Sequence, residues 1–203
     1  MKTLKISLLI FISLCSRNSF AQLQYVGIPS NTFNYYSAAQ VNSNWCWAAS
    51  LQMIFNYYGI NIRQDQIVQR SYGSDPYGNL PNWTGSIPVI TANLNNSNID
   101  NNGRTYIVQS SVYWGAPTPT FLINELQAQR PVLVGYRSGP SSGHAVVITA
   151  VSYYATPSGP QIQTIIVRDP WPSQQNISTL GRVEYPGNNL ANLIMSHWYI
   201  RIN

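Results

Sequence analysis

The chain has 203 residues, with 11 basic and 6 acidic side chains and a formal net charge of +5. Three of the basic residues, Lys2, Lys5 and Arg17, lie before residue 22, so the rest of the chain carries eight arginines, six acids and no lysine. That balance leaves no block of Lys or Arg to mark a nucleic-acid or anionic-membrane surface, and the length suits a single domain with a real core.

Lys2 and Lys5 precede an apolar run over residues 6–14, and Ser19 and Ala21 supply small side chains just before Gln22. Zones in this order predict a secretory signal peptide over residues 1–21, with an apolar run too short to span a membrane. One domain over residues 22–203 follows, and the mature protein is expected to be exported, either secreted or periplasmic. Cys15 leaves with the leader, so Cys46 is the single cysteine of the mature chain and no internal disulfide forms. A lone thiol in oxidising surroundings has two readings, a small buried apolar group or a reactive centre.

Residues 22–39 read as extended, with a strand near 25–28. Residues 47–58 read as a helix, because Ala49, Met53 and Phe55 recur on one side and Gly59 stands where a C′ glycine belongs. A second helix covers residues 63–72. Pro76, Gly78, Pro81 and Gly85 make residues 74–85 a loop. Ser86 opens a short helix through residue 94, and the Asn-rich stretch 95–103 reads as a turn or loop. A strand over 105–112 and a helix from 118 or 120 to 129 come next. Runs rich in Val and Ile, bounded by Gly, Pro or Ser, then predict strands at 131–136, 144–151 and 163–168, with two more at 182–185 and 197–202. Helices lead and strands follow, which predicts an α+β fold with a helical part packed against a mainly antiparallel sheet. The active site is expected between the two.

Cys46 opens the first long helix. A helix N-terminus offers partial positive charge and free N–H groups, which favour a thiolate and can receive an oxyanion. His144 follows Gly143 at the mouth of a strand, where it is firmly held yet reaches a cleft. His197, beside Trp198 in a terminal strand, reads as a packing residue. A catalytic imidazole needs an acceptor on its other nitrogen, and Asp169 ends the strand that a hairpin returns toward His144. Gln40 stands six residues before Cys46, where its amide is placed to donate to a developing oxyanion. No HExxH, CxxC pair or carboxylate cluster suggests a metal, and no Gly-rich phosphate loop follows a strand, so no cofactor is expected.

Gln40, five intervening residues and then Cys46-Trp47 resemble the papain signature. Together with Gly143-His144-Ala145-Val146-Val147-Ile148 and Asp169-Pro170-Trp171, they look most like the bacterial papain-like peptidases. That group includes effector proteases of plant pathogens and, more distantly, leader peptidases of bacteriocin exporters. The resemblance implies a papain-like fold and peptide-bond hydrolysis through a thioester acyl-enzyme. It assigns Cys46 as nucleophile, His144 as base, Asp169 as orienting acid, Gln40 to the oxyanion hole and Trp171 as a shield over the His–Asp pair. The chain departs from papain in having Trp45 before the nucleophile, no disulfide, and Asp in place of the orienting Asn. The expected partner is a protein or peptide substrate, with no nucleic acid and no membrane span after leader removal. Acyl transfer through the same triad and a catalytically inactive binding module are the alternative readings.

Overall fold

The apolar run that follows His144 becomes the central strand of the molecule. In the computed structural model, which describes residues 22–202, this strand, β5, covers Gly143–Thr156. Before it come β1 (Leu23–Gly27), β2 (Asn96–Ile99), β3 (Thr105–Trp114) and β4 (Val132–Arg137). After it come β6 (Gly159–Arg168), β7 (Arg182–Pro186) and β8 (Ile194–Ile202). Among the described residues these make one eight-stranded sheet in the order β2-β3-β8-β4-β5-β6-β7, with β1 also paired to β5. The pairings are antiparallel. β4 takes the first half of β5, from Gly143 to Ile148, and β1 takes the second, from Ala150 to Tyr154. Residues 1–21, where a signal peptide is expected, lie outside the described residues.

Among the described residues there are six α-helices: α1 (Ser30–Asn34), α2 (Cys46–Tyr57), α3 (Gln64–Tyr72), α4 (Ile87–Asn93), α5 (Pro119–Gln127) and α6 (Gly187–Ala191). Strand alternation decides which layer each sheet residue serves. Leu133, Ala145 and Val147 join a core with α2 residues such as Leu51 and Ile54, whereas Val132, Val134, Val146 and Ile148 join a second core with Leu122, Leu126 and Leu190. β5 is thus buried on both faces, so its sequence is apolar without alternating. At about 25 cal/mol per Å² of apolar surface, such two-sided burial makes β5 the strand least able to leave the sheet.

The architecture is the α+β arrangement expected, and most element positions agree to within a few residues. The Asn-rich stretch is the exception, because Asn96 to Ile99 pair with β3 as an edge strand rather than forming only a loop. The stretch has no apolar face, so nothing in its periodicity announces a strand. α1 and α6, each five residues long, are too short for a periodic signal.

Two buried charges hold the layers together. Glu125 on α5 is 2% exposed and receives two hydrogen bonds from Arg130 and two from Arg201 at the end of β8, all at 2.8–2.9 Å. Arg168, at the end of β6, is fully buried without a carboxylate partner. It donates to the carbonyls of Ser30, Thr179 and Leu180, and its guanidinium lies 5.7 Å from the Phe33 ring centre. Burial, with Arg182 nearby, lowers its pKa to about 10.

Removing Glu125 strands two arginines, so Glu125→Ala should lower the unfolding free energy by about 2–4 kcal/mol in a urea titration. Burial raises the Glu125 pKa, but the two arginines outweigh it and hold the group below its ordinary value. Its contribution is therefore full above the unfolded carboxylate pKa and is lost as pH falls through the lower folded value. The wild type should lose stability on acidification more steeply than Glu125→Ala.

Candidate active site

Asn42 to Trp45 form the turn that leads into α2. Trp45 N–H donates to Asn42 O at 3.0 Å, and the indole N–H of Trp45 donates to Pro81 O at 3.0 Å. This anchors the approach, so that Cys46 is the first residue of the helix. Trp47, fully inside the core, donates from its indole to Trp83 O at 3.1 Å and leaves no room for a side chain at Gly85. Packing of Trp47 therefore fixes the roll of the helix, and the roll decides that the half-buried Cys46 thiol faces outward into the cleft. The Cys46 N–H finds no acceptor among the described residues, as the first turn of a helix predicts.

α2 is tied to β5 one turn later. Ser50 is fully buried and its hydroxyl donates to Ala145 O at 3.0 Å. Ser50 lies four residues after Cys46 and Ala145 directly follows His144, so this bond sets the distance between the helix start and the strand start. A serine inside an otherwise apolar helical face was the one sequence signal of that tie.

The β5–β6 hairpin does the rest. Val147 faces Arg168 across the two strands, so Asp169, one residue beyond β6, returns beside His144. His144 Nε2 lies 2.7 Å from Asp169 Oδ1, and the same oxygen accepts the Trp171 main-chain N–H at 2.8 Å. Asp169 is held by its backbone as well, its N–H donating to Gly181 O at 2.7 Å and its carbonyl accepting from Gln175 Nε2 at 2.6 Å. Gly181 has φ +76, and a Cβ there would lie 2.1 Å from Gln175 Nε2 and 2.6 Å from Asp169 O, so this position requires glycine. Gln175 and this glycine carry no recognisable motif, and sequence reasoning did not find them.

The imidazole of His144 sits between two aromatic edges. Tyr136, its cross-strand neighbour on β4, meets it at 5.6 Å and 88°, and Trp171 meets it at 6.1 Å and 81°. Trp171 is 46% exposed and stands at the rim, where it screens one side of the His–Asp pair. Burial alone lowers the imidazole pKa. The hydrogen bond and charge of Asp169, together with Cys46, more than reverse this and raise it to about 9. The pair is thus arranged to keep an imidazolium beside the sulfur through neutral pH.

Cys46, His144, Asp169 and Trp171 line one cavity of about 480 Å³. Gln40 sits beside the turn that precedes Cys46. It is 5% exposed, lies outside that lining, and turns its Nε2 back on the chain to donate to Asn42 O at 3.0 Å and Ser43 O at 2.8 Å. Gln64 grips the residues on both sides of it, donating to Ala39 O at 2.8 Å and accepting from Val41 N–H at 3.1 Å. Gln40 therefore braces the turn that delivers Cys46. His197 is remote from the cavity. Its Nδ1 lies 2.7 Å from Gly115 O and its ring stacks on Tyr113, and burial lowers its pKa.

The model of a family described as "Peptidase_C39 like family" matches residues 30–188. The fold is similar to the peptidase domain of Streptococcus ComA, a bi-functional ABC transporter involved in a quorum sensing pathway. The TM-score is 0.51 at 15% identity, over 80% of this chain and 95% of that one. It is also similar to the digestive procathepsin L2 proteinase from Tenebrio molitor larval midgut, with a TM-score of 0.52 at 13% identity, over 86% of this chain and 67% of that one. Both are peptidases by their descriptions, and at these identities the likeness is one of fold, which is papain-like. No curated protein matches the sequence.

His144 should keep its proton to about pH 9, read from its ring resonance by NMR, with His197→Gln used for assignment. Its folded pKa lies above the ~6.5 of an unfolded histidine. The stability it contributes is therefore complete below that pH and is lost as pH rises through about 9. Asp169→Asn and Cys46→Ala should each move the titration to lower pH. An unmoved titration in Asp169→Asn would remove the carboxylate as the cause.

Proposed function

Because the chain belongs to the Peptidase_C39 like family and has a papain-like fold, we propose that it is an exported cysteine peptidase that cuts peptide bonds through Cys46, His144 and Asp169. The observation that carries this reading is the 2.7 Å bond between His144 and Asp169 in the same cavity as a thiol at a helix N-terminus. The zoned N-terminus of the sequence supports export.

In this mechanism the Cys46 thiolate attacks the substrate carbonyl carbon. The new C–S bond forms as the carbonyl π electrons move to oxygen. The free N–H of Cys46 receives the oxyanion. The His144 imidazolium gives its proton to the leaving amine as the C–N bond breaks, and a thioester remains. His144, now neutral, takes a proton from water, whose oxygen attacks the thioester; the C–S bond then breaks, the Cys46 thiolate leaves, and the carboxylic acid product gives its proton to solvent. Asp169 orients the ring throughout and favours its charged form.

Gln40 is the proposed second donor to the oxyanion, and its present hydrogen bonds limit its worth. To donate there it gives up a contact with Asn42 or Ser43, whereas a donor aimed in advance pays no such reorganisation. Gln40→Ala should therefore lower kcat by about tenfold, less than the 10²–10³-fold typical of a preorganised donor.

Cys46→Ala is the deciding variant. It removes one half-buried sulfur, so thermal unfolding should move little, while peptide cleavage and labelling by a thiol-directed epoxide should both vanish. Turnover retained in Cys46→Ala would end the proposal. Mass analysis of the wild-type products separates hydrolysis from transfer to an amine.

A further inference from the structure

The lining of the catalytic cavity carries an unused piece of information, its lack of charge. One wall consists of Ser43, Asn44 and Thr84, and the facing wall of Ser138, Ser142 and Gly143. Apart from the triad, no Asp, Glu, Lys, Arg or His is among the lining residues. Asp169 is 5% exposed and its Oδ1 already accepts from His144 and from Trp171, so its charge is engaged within the triad.

The nearest cation in sequence is turned away. Tyr136 and Ser138 line the cavity, whereas Arg137 between them is exposed and absent from the lining, as strand alternation requires. The Ser-rich turn joining β4 to β5 is held by its own bonds. Ser138 and Gly139 both donate N–H to Ser142 O, and the Ser138 and Ser142 hydroxyls are 3.2 Å apart. The facing wall is likewise fixed, because Asn44 donates its main-chain N–H to Asn82 Oδ1 at 3.0 Å and its Nδ2 to Asn82 O at 2.9 Å. Neither wall has a long side chain free to swing a charge in.

Resting on the peptidase reading above, we propose that the substrate is a peptide whose residues on either side of the cut bond are uncharged, and that Ser138 and Ser142 are the side chains that enforce this. A charged side chain entering the cavity loses part of its hydration and finds only hydroxyls, an amide and ring edges. An uncharged or hydroxylated side chain loses far less and keeps hydrogen-bond partners. Specificity here is the difference between those two costs, and it acts by exclusion more than by attraction.

The test uses the mature protein, residues 22–203, and a pool of synthetic randomised decapeptides, with cut sites read by mass spectrometry. Asp, Glu, Lys and Arg should be depleted about tenfold directly before and directly after the cut, matching a penalty on the order of 1.4 kcal/mol for an unpaired charge. Any of the four found at its pool frequency or above it at both positions would overturn the inference. Ser142→Asp supplies the missing counter-ion at an exposed turn, and among the cuts that variant makes Lys and Arg should rise about fivefold at one flanking position relative to the wild type. No gain in that variant would remove Ser142 as a determinant. If the wild type cuts nothing while Cys46 still takes the epoxide label, the peptidase reading itself fails. Cuts beside charged residues sink the specificity proposal alone.

Discussion

A single hydrogen bond, from the His144 ring to the Asp169 carboxylate, makes demands on almost every element of this structure. It joins the start of one strand to the end of the next, so its length depends on the register of the whole β5–β6 hairpin. A slip of one residue would send His144 to the other face of the sheet. The register is secured by burial, since β5 gives alternate side chains to two separate cores. The helical layer and the α5 layer thus both vote on where the imidazole stands. Two small ties complete the placement, Ser50 to Ala145 on the helix side and Gln175 to Asp169 on the loop side.

The electrostatics of the site follow from the same geometry. A half-buried histidine alone would lose its proton more readily than in water. Placing a carboxylate at 2.7 Å and a cysteine on the other side reverses the sign and keeps the ring charged. The walls of the cleft add no competing charge. Arg168, next in sequence to Asp169, is buried, and it spends its donors on three carbonyls of α1 and the 179–180 turn. It stiffens the shell behind the acid and leaves the cavity alone.

The sequence showed clearly whatever rested on a long apolar pattern or on an unusual residue in a defined place. The main helix, the buried strands and the α+β order were legible for that reason. Cys46, His144 and Asp169 were legible because a lone thiol, a glycine-preceded histidine and a strand-ending acid are scarce in this composition, and the structure brings all three into one cavity. The limits were equally physical. Asn96 to Ile99 pair as a strand through backbone bonds that leave no trace in side-chain polarity. Gln40 was read by its distance along the chain, which says nothing about which way an amide turns, and the structure engages it with Asn42 and Ser43. Gln175 and Gly181 support Asp169 through main-chain groups that any residue type carries, so only the folded arrangement reveals them.

The burial of β5 on both faces also bears on when the thiol becomes dangerous. Cys46 enters the chain 98 residues before His144, and the histidine reaches it only after β4, β6 and both helical layers have closed around β5. These are long-range contacts, which form late and together in a cooperative transition. A chain still being made therefore holds the Cys46 thiol apart from His144. The thiol and the imidazole are thus brought together in one step with the finished fold.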